Sequence, residues 1–222
     1  IALPVTVNGR LGPTDRDTFR FSAKAGERLV FEVEARRLGS AVDPTLHVLR
    51  ADGRELALGE DTSGLDVDAR IDHTFKDAGE YLIQVHDAMY LGRAPDFYRL
   101  RIGAFAYAEA IFPLGGRAGS EIEVALEGGT LEAPVISRVR LDPDPLERWT
   151  QVSLPSALDA GGAYPFRFRI GTFPEALEGL REKPEAALQL PASTTMNGRL
   201  LTPGEADRYA LDVAPGQAWT AR

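Results

Sequence analysis

The chain has 222 residues, 44% hydrophobic and 26% charged, which is ordinary for globular protein and enough for one large or two small domains. Its net charge of −8, with acidic residues scattered throughout, argues against nucleic acid as a partner, because counterion release needs clustered Lys and Arg. The chain has no cysteine, which removes disulfides and thiolate metal sites, and no apolar run approaches the ~18 residues that cross a bilayer.

The dominant hydrophobic period is two. Residues 18–22 alternate Phe19 and Phe21 with polar neighbours. Residues 29–35 set Leu29, Phe31 and Val33 on one face and Glu32 and Glu34 on the other. The same alternation runs through Ile71, His73 and Phe75, through Tyr81, Ile83 and Val85, and through Tyr98, Leu100 and Ile102. Turn chemistry bounds each run: Gly12-Pro13, Ala25-Gly26, Asp52-Gly53, Asp77-Ala78-Gly79 and Gly92. Short alternating strands at this spacing predict an antiparallel β-sandwich over residues 1–104, one face of each sheet buried and the other wet.

A second group of strands is predicted at 108–112, 121–126, 135–139, 151–154 and 165–170. Gly115-Gly116, Gly128-Gly129, Asp142-Pro143-Asp144-Pro145 and Gly161-Gly162 separate them. They predict a smaller, immunoglobulin-like β-sandwich over 105–172. The period of two is lost over 174–188, where Glu, Ala and Leu between prolines predict a linker (173–189) carrying a short helix.

The start of the chain then returns. Leu3-Pro4, Asn8-Gly9-Arg10-Leu11, Asp17-Thr18-Phe19-Arg20-Phe21 and Ala25-Gly26-Glu27-Arg28-Leu29 reappear in altered form. Their counterparts are Leu190-Pro191, Asn197-Gly198-Arg199-Leu200, Asp207-Arg208-Tyr209-Ala210-Leu211 and Pro215-Gly216-Gln217-Ala218-Trp219. Residues 190–222 therefore read as the opening of a second, incomplete copy of the first sandwich. The expectation is a piece of a longer modular protein.

The ordered set from Phe31-Glu32-Val33-Glu34 through Asp43-Pro44-Thr45-Leu46 and Ala51-Asp52-Gly53 to Gly79-Glu80-Tyr81-Leu82-Ile83-Gln84-Val85 and Tyr98-Arg99-Leu100-Arg101-Ile102-Gly103 resembles the bacterial pre-peptidase C-terminal (PPC) domain, in the version found in tandem. The stretch Ile111-Phe112-Pro113-Leu114-Gly115-Gly116-Arg117-Ala118-Gly119 resembles the immunoglobulin-like TIG-type domains that follow such modules. The PPC resemblance implies a jelly-roll-like β-sandwich, export from the cytoplasm to an extracytoplasmic location, and no catalytic residues. Some relatives, such as the collagen-binding modules of secreted collagenases, bind a matrix polymer and calcium. Their binding residues do not map onto recognisable positions of this chain.

The acid-rich loop 60–68 is the leading candidate site. Calcium takes six to eight oxygens, and Glu60, Asp61, Asp66 and Asp68 could supply several, joined by Asp43 and Asp87 if their loops gather at the same end. The other reading is a solvated connection whose Asp and Ser cap turns. The aromatic-containing loop around Tyr90 and Phe97 is a candidate ligand platform, or a lid folded over the core. Asp17, repeated as Asp207, is expected to accept backbone N–H bonds where its strand begins. Three histidines, His47, His73 and His86, lack zinc-ligand spacing; His73 is expected in the core and the others on the surface. No Ser lies in a nucleophile elbow, and Asp61-Thr62-Ser63-Gly64 carries one residue too many for an aspartic-protease turn.

These residues predict a non-catalytic segment of an exported bacterial protein, used for spacing, surface display or docking to an extracellular polymer or protein. Two alternatives stand beside it: an ancillary region of a secreted peptidase or other hydrolase whose catalytic domain lies elsewhere, and a carbohydrate-binding module.

Overall fold

A computed structural model of the chain describes residues 1–158, 164–179, 187–218 and 220. The chain is nearly all β and divides into two compact units, Ile1–Phe105 and Ala106–Arg222. The expected turn at Gly161-Gly162, much of the expected helix (180–186), Trp219 and Arg222 lie outside the described residues.

In the first unit the strands are β1 (Val5–Arg10), β2 (Arg16–Ala23), β3 (Arg28–Glu34), β4 (Pro44–Arg50), β5 (Glu55–Gly59), β6 (Arg70–Thr74), β7 (Gly79–Asp87) and β8 (Phe97–Gly103). They pair antiparallel as β1 with β8, β2 with β7, β3 with β6 and β4 with β5. That is one long antiparallel ribbon, rolled so that β8 also meets β3 and β7 also meets β4. The resulting sheets, β1-β8-β3-β6 and β2-β7-β4-β5, have jelly-roll order. Strands β1, β4 and β5 lie outside the alternating runs that predict strands in the sequence.

The core lies between the sheets. Phe21, Phe31, Phe75 and Tyr81 form its aromatic centre, with ring centroids 4.4–6.4 Å apart, and Leu46, Val48, Ile83, Leu100 and Ile102 fill the remainder. Alternation accounts for this: Leu29, Phe31 and Val33 of β3 point inward as a set.

The opposite face of β3 is also buried. Glu32 is fully enclosed, although alternation alone assigns it to the wet side. Arg70 of β6 contacts its carboxylate through Nε at 2.7 Å and Nη2 at 2.6 Å, Arg37 reaches it at 3.2 Å and Arg101 of β8 at 3.5 Å. The next outward residue, Glu34, pairs with Arg99 of β8. Burial by itself would raise the Glu32 pKa. The guanidiniums of Arg70, Arg37 and Arg101 outweigh it and hold the group below the ordinary glutamate value.

In the second unit, β9 (Ala110–Phe112), β11 (Glu121–Glu127) and β12 (Val135–Arg140) form one antiparallel sheet. A second sheet contains β10 (Gly115–Arg117), β13 (Trp149–Val152) and β14 (Phe166–Gly171). Val124, Leu126, Val152, Phe168 and Ile170 from the two sheets are buried. Strand β10 corrects the expected turn at Gly115-Gly116. A Cβ on Gly115 would lie 2.8 Å from the Arg169 carbonyl oxygen, so the glycine pair permits close parallel pairing with β14 rather than marking a reversal.

The expected linker contains strand at both ends, β15 (Glu175–Leu177) and β16 (Leu188–Leu190). These pair parallel with β17 (Thr195–Asn197) and β18 (Tyr209–Leu211).

Glu32→Ala would leave three guanidiniums facing one another in a buried site and should cost about 3–5 kcal/mol, read from urea unfolding. The folded pKa of Glu32 is depressed, so its contribution is complete above the ordinary value of 4.5 and is lost as pH falls through the lower folded value. Glu32→Gln should accordingly show a flatter loss of stability below about pH 4.5 than the parent chain.

Candidate functional site

The register fixes where the loops of the first unit gather. The pairs Arg10↔Phe97, Arg16↔His86, Pro44↔Asp87, Leu46↔Gly59 and Glu32↔Arg70 set the end of each odd strand beside the start of an even one. The connections 11–15, 35–43, 60–69 and 88–96 therefore meet at one end of the sandwich. They hold Asp43, Glu60, Asp61, Asp66, Asp68 and Tyr90 of the residues proposed from sequence, and Asp87 and Phe97 flank them at the end of β7 and the start of β8.

Four of the six proposed calcium ligands come into one electrostatic neighbourhood. Burial raises the Asp43 pKa, and the negative charges of Asp61, Asp87 and Asp68 add to it, against the opposing charge of Arg36. Two of these carboxylates are committed to the backbone. Asp68 is buried; its Oδ1 accepts the Ala35 and Arg36 N–H groups at 3.0 and 2.8 Å. Its Oδ2 accepts the Arg37 N–H at 3.2 Å and Arg37 Nε at 2.7 Å. It thereby caps the one-turn 3-10 helix Arg36–Leu38, which Gly39 closes at φ 83°. Asp87 accepts the Asp43 N–H at 3.0 Å and the Leu91 N–H at 2.9 Å.

Glu60, Asp61 and Asp66 are exposed, and Asp61 forms an isolated β-bridge with Ala69. Among the described residues, no three His, Asp or Glu side chains are set to hold one metal ion.

The aromatic platform divides. Phe97 is 38% exposed. Tyr90, at φ 55°, folds back onto the sheet, its ring stacked 4.5 Å from that of His86 at an interplanar angle of 9°. Its hydroxyl accepts a hydrogen bond from Arg16 Nη2. Gly92 makes this reversal feasible: a Cβ there would lie 2.2 Å from the Gly12 carbonyl carbon.

Asp17 accepts the hydroxyl of Tyr98 rather than the expected backbone amides, and burial and this bond raise the Tyr98 pKa. His73 is half-buried against the edge of Phe75, with ring centroids 4.8 Å apart. His86 lies on the outer face of its sheet, as alternation requires, but is only 7% exposed. It meets His47 of β4, a contact the sequence reading did not anticipate. The signal was a histidine in each of two strands; their adjacency depends on a register that the one-dimensional pattern does not carry.

No family model and no curated protein sequence matches the chain. Among solved structures it is similar to the pre-peptidase C-terminal domain of a collagenase from Bacillus anthracis, at 17% identity over 46% of this chain and 91% of that one, with a TM-score of 0.36. It is also similar to a periplasmic inhibitor of g-type lysozyme from Aeromonas hydrophila, at 16% identity over 45% of this chain and 85% of that one, with a TM-score of 0.33. Neither likeness assigns a role to a residue.

The crowded carboxylate at Asp43 yields a signed prediction. Its folded pKa is raised, so the charged form costs stability above the ordinary aspartate value, and that cost fades as pH falls through the raised value. Asp43→Asn should stabilise the chain at neutral pH by about 0.5 kcal/mol, the scale of surface substitutions. Thermal unfolding at pH 7 and pH 4 should find the gain at the first and little of it at the second.

Proposed function

We propose that the chain is a non-catalytic, modular segment of an exported bacterial protein, serving to space, display or dock. The observation that supports this reading is the recurrence of strands with the recurrence of sequence. Strand β17 (Thr195–Asn197) stands at the positions of Thr6, Val7 and Asn8 in β1, and β18 (Tyr209–Leu211) at those of Phe19, Arg20 and Phe21 in β2. A unit that restarts with the same strand positions is what a tandem array of PPC-like domains, separated by an immunoglobulin-like domain, would present.

In such an array each module contributes weakly. Linked modules held at set distances gain affinity because the second binding event becomes intramolecular. An extracellular polymer with many equivalent sites, or a surface protein, is the partner this chemistry favours, with other domains of the same polypeptide as neighbours. The loop end carrying Phe97, Asp43 and Asp61 is the face assigned to docking.

Co-sedimentation of the purified chain with collagen, cellulose, chitin and peptidoglycan, in calcium and again in EDTA, tests the proposal. Retention on one polymer is expected. Loss of that retention in EDTA would mean that Asp43, Asp61 and their neighbours close around an ion only with the ligand in place. Retention on none of the four would remove docking to these polymers and leave spacing.

A further inference from the structure

The outer face of the sheet β2-β7-β4-β5 carries a row of polar side chains that runs from the loop end at Tyr90 across the strands. Register sets Arg16 and Thr45 opposite His86, and His47 opposite Gln84, so these side chains share one face. Tyr90 stacks on the His86 ring, and His47 meets that ring at its Nε2. Glu55 of β5 closes the row beyond His47.

The hydrogen bonds fix the imidazole protons. His86 Nδ1 lies 3.0 Å from the Asp87 carbonyl oxygen, which can only accept, so Nδ1 carries the hydrogen. His47 Nδ1 lies 2.6 Å from a Glu55 carboxylate oxygen, an acceptor when ionised, so the same nitrogen carries the hydrogen there. In the neutral rings both Nε2 atoms are then bare lone pairs, and they face each other 2.8 Å apart. The ring centroids are 5.0 Å apart at an interplanar angle of 25°, which is an edge-to-edge approach along the nitrogen axes rather than face stacking. Two opposed lone pairs repel unless a cation lies between them.

We propose that His47 and His86 form a two-imidazole site for a borderline divalent transition-metal ion such as zinc, with water completing the coordination. Neutral imidazole is a favoured ligand for zinc, copper and nickel. The partners on the far nitrogens match the usual outer arrangement: a carboxylate behind one ring and a backbone carbonyl behind the other, orienting each ring and fixing its tautomer. Burial is the largest influence on the His86 pKa and lowers it against the Asp87 carbonyl, which keeps its lone pair available. Zinc–nitrogen bonds of about 2.0–2.1 Å at a tetrahedral angle put the nitrogens roughly 3.3 Å apart. Opening the pair by about half an ångström is a small swing for the His47 side chain, which is 20% exposed.

Isothermal titration of the full chain with zinc chloride at neutral pH tests this, with circular dichroism confirming the fold of each variant. One equivalent should bind. His47→Gln should abolish that binding and His73→Gln should preserve it. Glu55→Gln, which removes only the orienting carboxylate, should weaken it by about 10- to 100-fold. Long-range ¹H–¹⁵N spectra should find both rings protonated at Nδ1 and both Nε2 signals moved by zinc. Absence of binding, or binding unchanged in His47→Gln, would overturn the proposal and leave a proton as the cation shared by the pair.

Discussion

The buried carboxylate of Glu32 is the interaction on which the first unit depends. An ionised group out of water costs several kcal/mol unless its oxygens are met by charge and hydrogen bonds together. Arg70, Arg37 and Arg101 meet that demand, and they come from β6, from the turn after β3 and from β8. One side chain thus ties the central strand to both of its neighbours and to the loop end. It also pins register, because a one-residue slip of β3 would turn Glu32 and Glu34 into the aromatic core and Phe31 out of it.

The same economy governs the loop end. Arg37 touches Glu32 and also donates to Asp68, which caps the short helix that carries Arg37. Asp87 holds the chain at Asp43 and Leu91 in a comparable way. Asp68 and Asp87, two of the carboxylates that read in one dimension as a cation site, thus accept backbone amides, the need that arises wherever a chain reverses without a sheet partner. Burial first, and then the charges of Asp61 and Asp87 beside it, raise the Asp43 pKa. The outer face of the other sheet has the opposite character: two imidazoles whose outer nitrogens are satisfied and whose inner nitrogens face each other.

The second appearance of the opening sequence illustrates how far local pattern reaches. Tyr209 and Leu211 form strand as Phe19 and Phe21 do. Phe21 is buried by the sheets around it, whereas Tyr209 and Leu211 are 38% and 43% exposed. Alternation is enough to make a strand extended; burying its apolar face takes a second sheet packed across it, as in the first unit.

The sequence by itself determined that this protein is all-β, where most of its turns fall, and which face of strands such as β3 and β7 carries the core, because alternation and turn chemistry are local properties. It misjudged Gly115-Gly116, where two glycines serve close strand approach instead of reversal, and Asp17, whose partner Tyr98 comes from a distant strand. Tertiary structure alone decided that Glu32 is enclosed, that Asp68 and Asp87 are spent on backbone amides, and that His47 meets His86. Period two assigns a side chain to a face of its sheet. Whether that face is covered, and which residue stands opposite across the ladder, is set by register and by loops from elsewhere in the chain.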